Sequence, residues 1–319
     1  MNLRIGSRGS QLALWQANHI AALLRNEGHS VDIKIIKTTG DRLQLVTFAQ
    51  VDTKGMFTKE IEEALAAGSV DLAVHSLKDL PTELPDPFTL AATPERVDPR
   101  DAFVSVEYES LAALPQGARV GTSSQRRRAQ MKAIRPDIEA VEFRGNVETR
   151  LRKLAEGQVD AILLAAAGLD RLDKTEWIRE RLEPREFCPA AGQGALGVET
   201  RKNDAVTMDA VAFLNDAATR FAVTVERAAL AALGGGCQVP IGVHCRHEIE
   251  SGAPSISRSS RNVWEIFAVV AATDTGKTVR VHHRAPHSSA DPVALGRLVA
   301  QMLIDAGAGP LLAPAGGVL

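Results

Sequence analysis

Ala66-Ala-Gly-Ser-Val-Asp71 and Ala155-Glu-Gly-Gln-Val-Asp160 repeat one pattern, and that repeat decides how the chain is divided. In each copy the end of a helical stretch meets a glycine, the usual left-handed terminator, and then an apolar run. The runs are Leu-Ala-Val-His from Leu72 and Ala-Ile-Leu-Leu from Ala161. A six-residue echo in an alanine-rich chain can also arise by chance. Ahead of the first copy lie a strand over 3–6, a loop in which Ser7 or Ser10 can cap a helix, and that helix, with Ala13, Ala17, Ile20 and Leu24 on one face. A strand over 31–37 and a helix over 57–67 follow, and a buried strand over 71–75 completes the set. Ahead of the second copy the order is strand 119–121, helix 124–134, strand 138–143 and helix 146–155. Alternation of this kind predicts doubly wound sheets, here two similar α/β lobes.

With 319 residues, and roughly 100–200 residues per domain, two or three domains are expected. Pro94-Glu-Arg-Val-Asp-Pro99 reads as a crossing between the lobes, and the chain is expected to cross back near 189–197. After about Asn215 the style changes to a long alanine-rich helix, three strands and a last helix over 292–306, a small α+β unit. The expected division is 1–95 with 195–214 for the first lobe, 99–190 for the second, and 216–319 for the third unit.

Hydrophobic residues make up 45% and charged residues 24%, which excludes disordered and fibrous classes. The net charge of −2 argues against a dedicated nucleic-acid binder. Three cysteines without C-x-x-C spacing indicate neither a disulfide framework nor a zinc site, and no metal is expected. The stretch Met1-Asn-Leu-Arg-Ile-Gly-Ser-Arg lacks the apolar core of an export signal, and no window approaches the roughly 20 apolar residues of a membrane span. A cytoplasmic protein is expected, with neither nucleic acid nor membrane as partner. The absence of long heptads or a large apolar stretch points to a monomer.

Charge is uneven along the chain. Between Arg119 and Lys153 ten basic residues face four acidic ones, a local excess of +6. In Gly121-Thr-Ser-Ser-Gln-Arg-Arg-Arg128 arginines occupy the first turns of a helix, where the macrodipole already favours anions. Cations placed there call for a polyanionic ligand, with a solvated charged face as the plainer alternative. His75-Ser-Leu-Lys-Asp79 follows a buried strand at the end where open sheets bind ligands. A carboxylate there can exchange protons or stabilise a cation, although Lys78 and Asp79 also suit an ordinary turn before Pro81. His75 reads as a packing residue. Gly234-Gly-Gly-Cys237 puts a thiol on flexible backbone, either as nucleophile and attachment point or as a small turn residue, whereas Cys188 and Cys245 read as core.

Taken together these stretches resemble the porphobilinogen deaminase family, also called hydroxymethylbilane synthases. The resemblance rests on Ser7-Arg-Gly-Ser-Gln-Leu-Ala-Leu-Trp-Gln16, Lys54-Gly-Met-Phe-Thr-Lys-Glu60, Val74-His-Ser-Leu-Lys-Asp-Leu-Pro81, Pro99-Arg-Asp-Ala-Phe-Val104, Gly121-Thr-Ser-Ser-Gln-Arg-Arg127, Arg144-Gly-Asn-Val147, Ala190-Ala-Gly-Gln-Gly-Ala195 and Gly235-Gly-Cys-Gln-Val-Pro-Ile-Gly242. It implies two lobes like those of type II periplasmic binding proteins plus a cofactor-bearing third domain. It further implies a transferase of tetrapyrrole biosynthesis that joins four porphobilinogen molecules head to tail, releasing ammonia, on a dipyrromethane held by a cysteine thioether. The linear product, hydroxymethylbilane, would pass to uroporphyrinogen-III synthase.

By matching motifs, Cys237 is the implied anchor and Asp79 the catalytic carboxylate, which hydrogen-bonds pyrrole N–H groups and stabilises the cation left by departing ammonia. Each pyrrole carries an acetate and a propionate. The implied cofactor contacts are Lys78, Thr122, Ser123, Ser124, Arg126, Arg127 and Arg144; the implied substrate contacts are Arg8, Ser10, Arg144, Arg150 and Arg171. Lys54, Phe57 and Lys59 are candidates for a lid. Gln125 and Met56 depart from the aliphatic residues common in the family, at packing positions, and 246–262 and the C-terminal tail are individual. A non-catalytic α/β receptor for a carboxylated or phosphorylated ligand is the alternative that two lobes alone would allow, and it would need export.

Overall fold

The computed structural model describes residues 1–39, 58–235, 240–250, 261–288 and 291–312. The first lobe begins with β1 (Asn2–Ser7), α1 (Gln11–Asn26), β2 (Ser30–Ile35), α2 (Lys59–Ala66), β3 (Leu72–Ser76) and β4 (Phe88–Ala92). The second holds β5 (Asp101–Val104), β6 (Arg119–Gly121), α3 (Gln125–Ile134), β7 (Glu139–Val141), α4 (Val147–Ala155), β8 (Ala161–Ala165), α5 (Ala166–Arg171) and β9 (Ile178–Leu182). The chain then returns to the first lobe as β10 (Leu196–Arg201) and α6 (Ala205–Val211).

The two sheets have the orders β2-β1-β3-β10-β4 and β7-β6-β8-β5-β9. In both, three parallel strands are followed by an antiparallel strand that has just come through a crossing, β10 in one and β5 in the other. The repeated hexapeptide has the same local structure in both. Gly68 and Gly157 end their helices at φ +65° and +72°. The Asp71 N–H donates to the Arg4 carbonyl while its carboxylate accepts from the Arg4 N–H, and Asp160 and Arg119 make the same reciprocal pair. The match is therefore structural rather than accidental. Two lobes of one design are built around it.

Apolar side chains fill both faces of each central strand. Leu3, Ile5, Leu72, Val74 and Val198 lie under α1, and Phe103, Val120, Ala161 and Leu163 back onto Met131 of α3. Each fully buried aliphatic contributes roughly 1.5–3 kcal/mol, which is why these strands read as continuous apolar runs rather than alternating ones.

The third unit packs α7 (Ala217–Ala232) and α8 (Pro292–Leu303) on one face of the antiparallel sheet β11 (Ile241–Glu250), β12 (Arg261–Ala271) and β13 (Thr278–Pro286). The helices approach closely because Gly296 has no Cβ: one built there would lie 2.4 Å from the Val225 carbonyl oxygen. The strands outrun the apolar stretches that predict them. Beyond Cys245 the ladder continues through Arg246–Glu265 and Arg284–Glu248 ion pairs, a cross-strand support with no hydrophobic signature. The helix expected over 292–306 is α-helical over Pro292–Leu303 and continues as a π-helix over Ile304–Ala308, in which Gly307 stands at φ +94°.

The two crossings lie against one another. Arg96 Nε donates to the Gln193 carbonyl at 2.8 Å, and a Cβ on Gly194 would meet the Val97 carbonyl at 2.6 Å. Both crossings are tied to the third unit by one buried carboxylate: Glu226 of α7 accepts from two Arg96 nitrogens, from the Gly192 N–H and from the Cys245 N–H. Burial alone would raise its pKa, but Arg96 and His244 outweigh that and hold it at about 2, below an ordinary value of 4.5. This support is complete above pH 4.5 and is lost as the pH falls toward 2. Glu226→Gln leaves Arg96 buried without its counter-charge, and its urea midpoint should report a loss of about 3–5 kcal/mol.

Candidate active site

Four carboxyl-terminal strand ends converge between the lobes, the position at which open α/β sheets bind ligands. β1 delivers Arg8 and Ser10, and Ser10 caps α1 by accepting from the Ala13 N–H. β3 runs into a single 3₁₀ turn, Leu77–Asp79. Its Leu77 is wholly buried and its N–H donates to the Ala195 carbonyl, which leaves Lys78 half-buried and Asp79 exposed. β6 leads to Ser124, the cap of α3, and β7 leads through Arg144 and Gly145 to Asn146, the cap of α4. Short polar caps occur here because each helix must start immediately at its strand end, and their side-chain oxygens satisfy first-turn N–H groups.

Beneath this surface Asp101, at the start of β5, is fully buried and accepts five hydrogen bonds: two each from Arg126 and Arg127 and one from Gln193. Burial opposes its charge, but the two guanidiniums prevail and hold the carboxyl well below the usual range. Arg126 and Arg127 are therefore not unbalanced cations awaiting an external anion, as their helix-start position suggests; their anion comes from the neighbouring strand. Two guanidiniums against one carboxylate still leave one positive charge at the base of the cleft. Arg128 turns away to Glu142 and the Thr122 carbonyl.

Three adjoining cavities open above, and Asp79 lines all of them. The largest, about 330 Å³, is walled by Arg8, Ser10, Lys78, Ser123, Arg144, Glu148 and Arg150. A second of about 200 Å³ is bounded by Lys78, Ser124, Arg126, Arg127, Arg227, Leu230 and Ile241. The third, about 70 Å³, lies between Arg8, Gln16, His75 and Ser76. The electrostatics are those of crowded cations. Lys78, 3.3 Å from Gln193 Oε1, is brought down to about 8, chiefly by burial and then by Arg127 and Arg126, against the pull of Asp79 and Asp101. Arg150 is lowered to about 10 by burial and by Arg127 and Arg144; its Nε is buried without an acceptor.

Other expected site residues lie elsewhere. The Thr122 hydroxyl is buried and accepts from the Ser124 N–H, shaping the turn. Arg171 is buried, donates to the Gly194 carbonyl at 2.7 Å and lies over Trp15 at 5.8 Å. Neither lines any of the three cavities. Lys59 is exposed at the start of α2 and lines none of them either. Cys237, Lys54 and Phe57 lie outside the described residues. Cys188 and Cys245 are core thiols, Cys188 pushed by burial up to about 12. His75 is buried against Glu199 at 2.9 Å. Among the described residues no cluster of His, Cys, Asp or Glu could hold a metal ion.

Fold and site define a two-lobed α/β protein with a third unit, whose interlobe cleft is lined by more cations than anions. Residues 3–209 match the family model described as porphobilinogen deaminase, dipyromethane cofactor binding domain, and residues 220–305 match its C-terminal domain. A porphobilinogen deaminase of Trichlorobacter lovleyi is 48% identical over 97% of this chain and 95% of its own length. One of Roseiflexus castenholzii is 47% identical over 98% and 99%. Among solved structures, the methionine binding protein MetQ aligns with 67% of this chain and 89% of its own, at 12% identity and a TM-score of 0.43. The chain belongs to the porphobilinogen deaminase family.

Sequence reasoning passes over Asp101, Gln193, Arg227 and Glu148. Asp101 carries a signal of the same kind as Asp79, an acid set against an apolar strand, here Ala102-Phe-Val104. Gln193 lies in the quoted stretch Ala190–Ala195 without a sign of its role, and the roles of Arg227 and Glu148 are defined by contacts between distant segments.

Lys78 links the site to pH. Its ammonium form is the one that pairs with a carboxylate, so affinity for a carboxylated ligand should fall as the pH rises through about 8. Measured as 1/KM against pH, this limb should flatten in Lys78→Arg, whose charge persists. The same shift has the opposite sign for stability, which rises between about 8 and 10.5 because the unfolded chain keeps the proton longer.

Proposed function

We propose that this chain is the transferase that joins four porphobilinogen molecules head to tail into linear hydroxymethylbilane, releasing ammonia at each step, with Asp79 as its catalytic carboxylate. The observation that carries the assignment is that Asp79 borders every one of the three adjoining cavities, so that one carboxylate is within reach of whatever occupies each of them. Its exposure leaves it accessible to a pyrrole N–H. A carboxylate there stabilises positive charge on a substrate pyrrole as ammonia leaves, and accepts or returns the N–H proton.

Dipyrromethane, with four carboxylates on two pyrroles, fits the residues present. Arg126, Arg127 and Lys78 meet in one cavity with Ser124, and Arg150 has an unmatched buried donor in the next. Ile241 and Leu230, which border the first, flank in sequence the segment that holds Cys237. Bound there, the group supplies the electron-rich pyrrole end to which the first porphobilinogen is joined. Cys237 is its attachment point in this reading. Arg8, Ser10, Ser123, Arg144 and Arg150 hold the acetate and propionate of the incoming pyrrole, while Thr122 and Arg171 support the site from behind. The units 1–95 with 195–214, 99–190 and 216–319 are the bodies whose relative movement makes room for a lengthening chain, and Lys54, Phe57 and Lys59 are the lid residues of this reading.

The protein works as a cytoplasmic monomer that passes its product to uroporphyrinogen-III synthase. Large exposed apolar side chains such as Ile35, Val106, Val206 and Leu298 are scattered over all three units, and no helix among the described residues is long and apolar enough to cross a membrane.

Intact mass is the decisive measurement: the holoprotein should exceed its 34.1 kDa polypeptide by a dipyrromethane, and the excess should vanish in Cys237→Ser. A bare polypeptide mass in fresh holoprotein would favour a non-catalytic receptor. Asp79→Asn should keep the adduct and its fold yet lose roughly 100-fold or more in kcat. Near-normal turnover would remove Asp79 from the chemistry.

A further inference from the structure

Glu148 is an anion where the site otherwise collects cations. It is the second residue of α4, and it lines the cavity shared with Arg8, Lys78, Arg144 and Arg150. An acid in a first helical turn is ordinary, because it complements the dipole, but solvent serves such an acid equally well. Glu148 differs in that Oε1 is buried and has no hydrogen-bond partner. A buried carboxylate oxygen without a donor costs stability, unless a ligand supplies the donor.

Porphobilinogen supplies one. It carries two carboxylates, a pyrrole N–H and an aminomethyl group that is an ammonium at neutral pH. The cavity's cations match the carboxylates and Asp79 matches the pyrrole N–H, which leaves the ammonium. Among the described lining residues Asp79 and Glu148 are the only acids, and they come from opposite lobes. We propose that Glu148 binds the aminomethyl ammonium of the incoming porphobilinogen and selects the monomer that still carries its leaving group, an inference that rests on the function proposed above.

The chemistry requires that protonation state. When the C–N bond breaks, its electron pair leaves with nitrogen, so the ammonium departs as neutral ammonia and the positive charge passes to the pyrrole methylene. A carboxylate beside the nitrogen favours the ammonium form. Glu148 therefore acts on the nitrogen side of the breaking bond and Asp79 on the carbon side. The pyrroles already in the chain have no ammonium, and they gain nothing from Glu148.

The test compares porphobilinogen with the pyrrole in which methyl replaces aminomethyl, used as a competitive inhibitor of holoenzyme whose adduct mass and wild-type turnover have been verified. A wild-type protein without adduct or turnover would overturn the assigned function itself, an outcome separate from any effect of substituting Glu148. In Glu148→Gln, KM for porphobilinogen should rise about tenfold while Ki of the methyl analogue stays put. Glu148→Asp, with the charge on a shorter arm, should recover part of the difference. Parallel changes in both constants, or no change in either, would make Glu148 a structural helix-start residue and overturn the proposal.

Discussion

The Asp101 carboxylate, buried between Arg126 and Arg127, is the interaction on which the rest of this molecule depends. Burying one carboxylate and two guanidiniums is costly, and the cost is met only because five hydrogen bonds converge on the two oxygens. The geometry is correspondingly restrictive. Arg126 and Arg127 fix the start of α3, β5 supplies Asp101, and Gln193 brings in the second crossing through both Asp101 and the Pro99 carbonyl. One charge cluster thus sets where the second lobe begins, where the crossings touch and where the floor of the cleft lies.

That arrangement produces a cleft with a standing excess of positive charge. The ion triplet is left one charge positive, and Lys78, Arg8, Arg144 and Arg150 stand above it. Crowding and partial burial lower Lys78 and Arg150, so the protein holds these cations in a state that binding of carboxylates relieves. The net charge of −2 hides this, because the stretch 119–153 carries +6 and the remainder of the chain −8. Mutual repulsion of these cations and their attraction for carboxylates are two expressions of one arrangement.

A second buried carboxylate does for the third unit what Asp101 does for the second lobe. Glu226 gathers Arg96, Gly192 and Cys245, one from each crossing and one from β11. The backbone of the return crossing and of β11 is held at this point by hydrogen bonds to one side chain. The β12 face opposite α7 and α8 adds Phe267 and Val269 against Cys188, a small apolar contact to the return crossing.

Much of this was legible in the residues. The two hexapeptides, the apolar runs after them and the glycines between them specify repeated strand–helix–strand order, because periodicity and helix termination are local properties. Lys78 and Asp79 were legible as a charged pair at a strand end for the same reason. The direction in which Arg126 and Arg127 point was not. Their helix-start position suggested an external anion, and only the pairing of β5 with β8 brings Asp101 beneath them. Glu148 was equally silent, since a glutamate in a first helical turn looks the same whether solvent or a cavity faces it. The order of residues was enough to specify the elements, their repeat and the residue types offered to the cleft. Which charges neutralise one another was settled by the folded arrangement alone, because that depends on distances between segments whose separation along the chain carries no pattern.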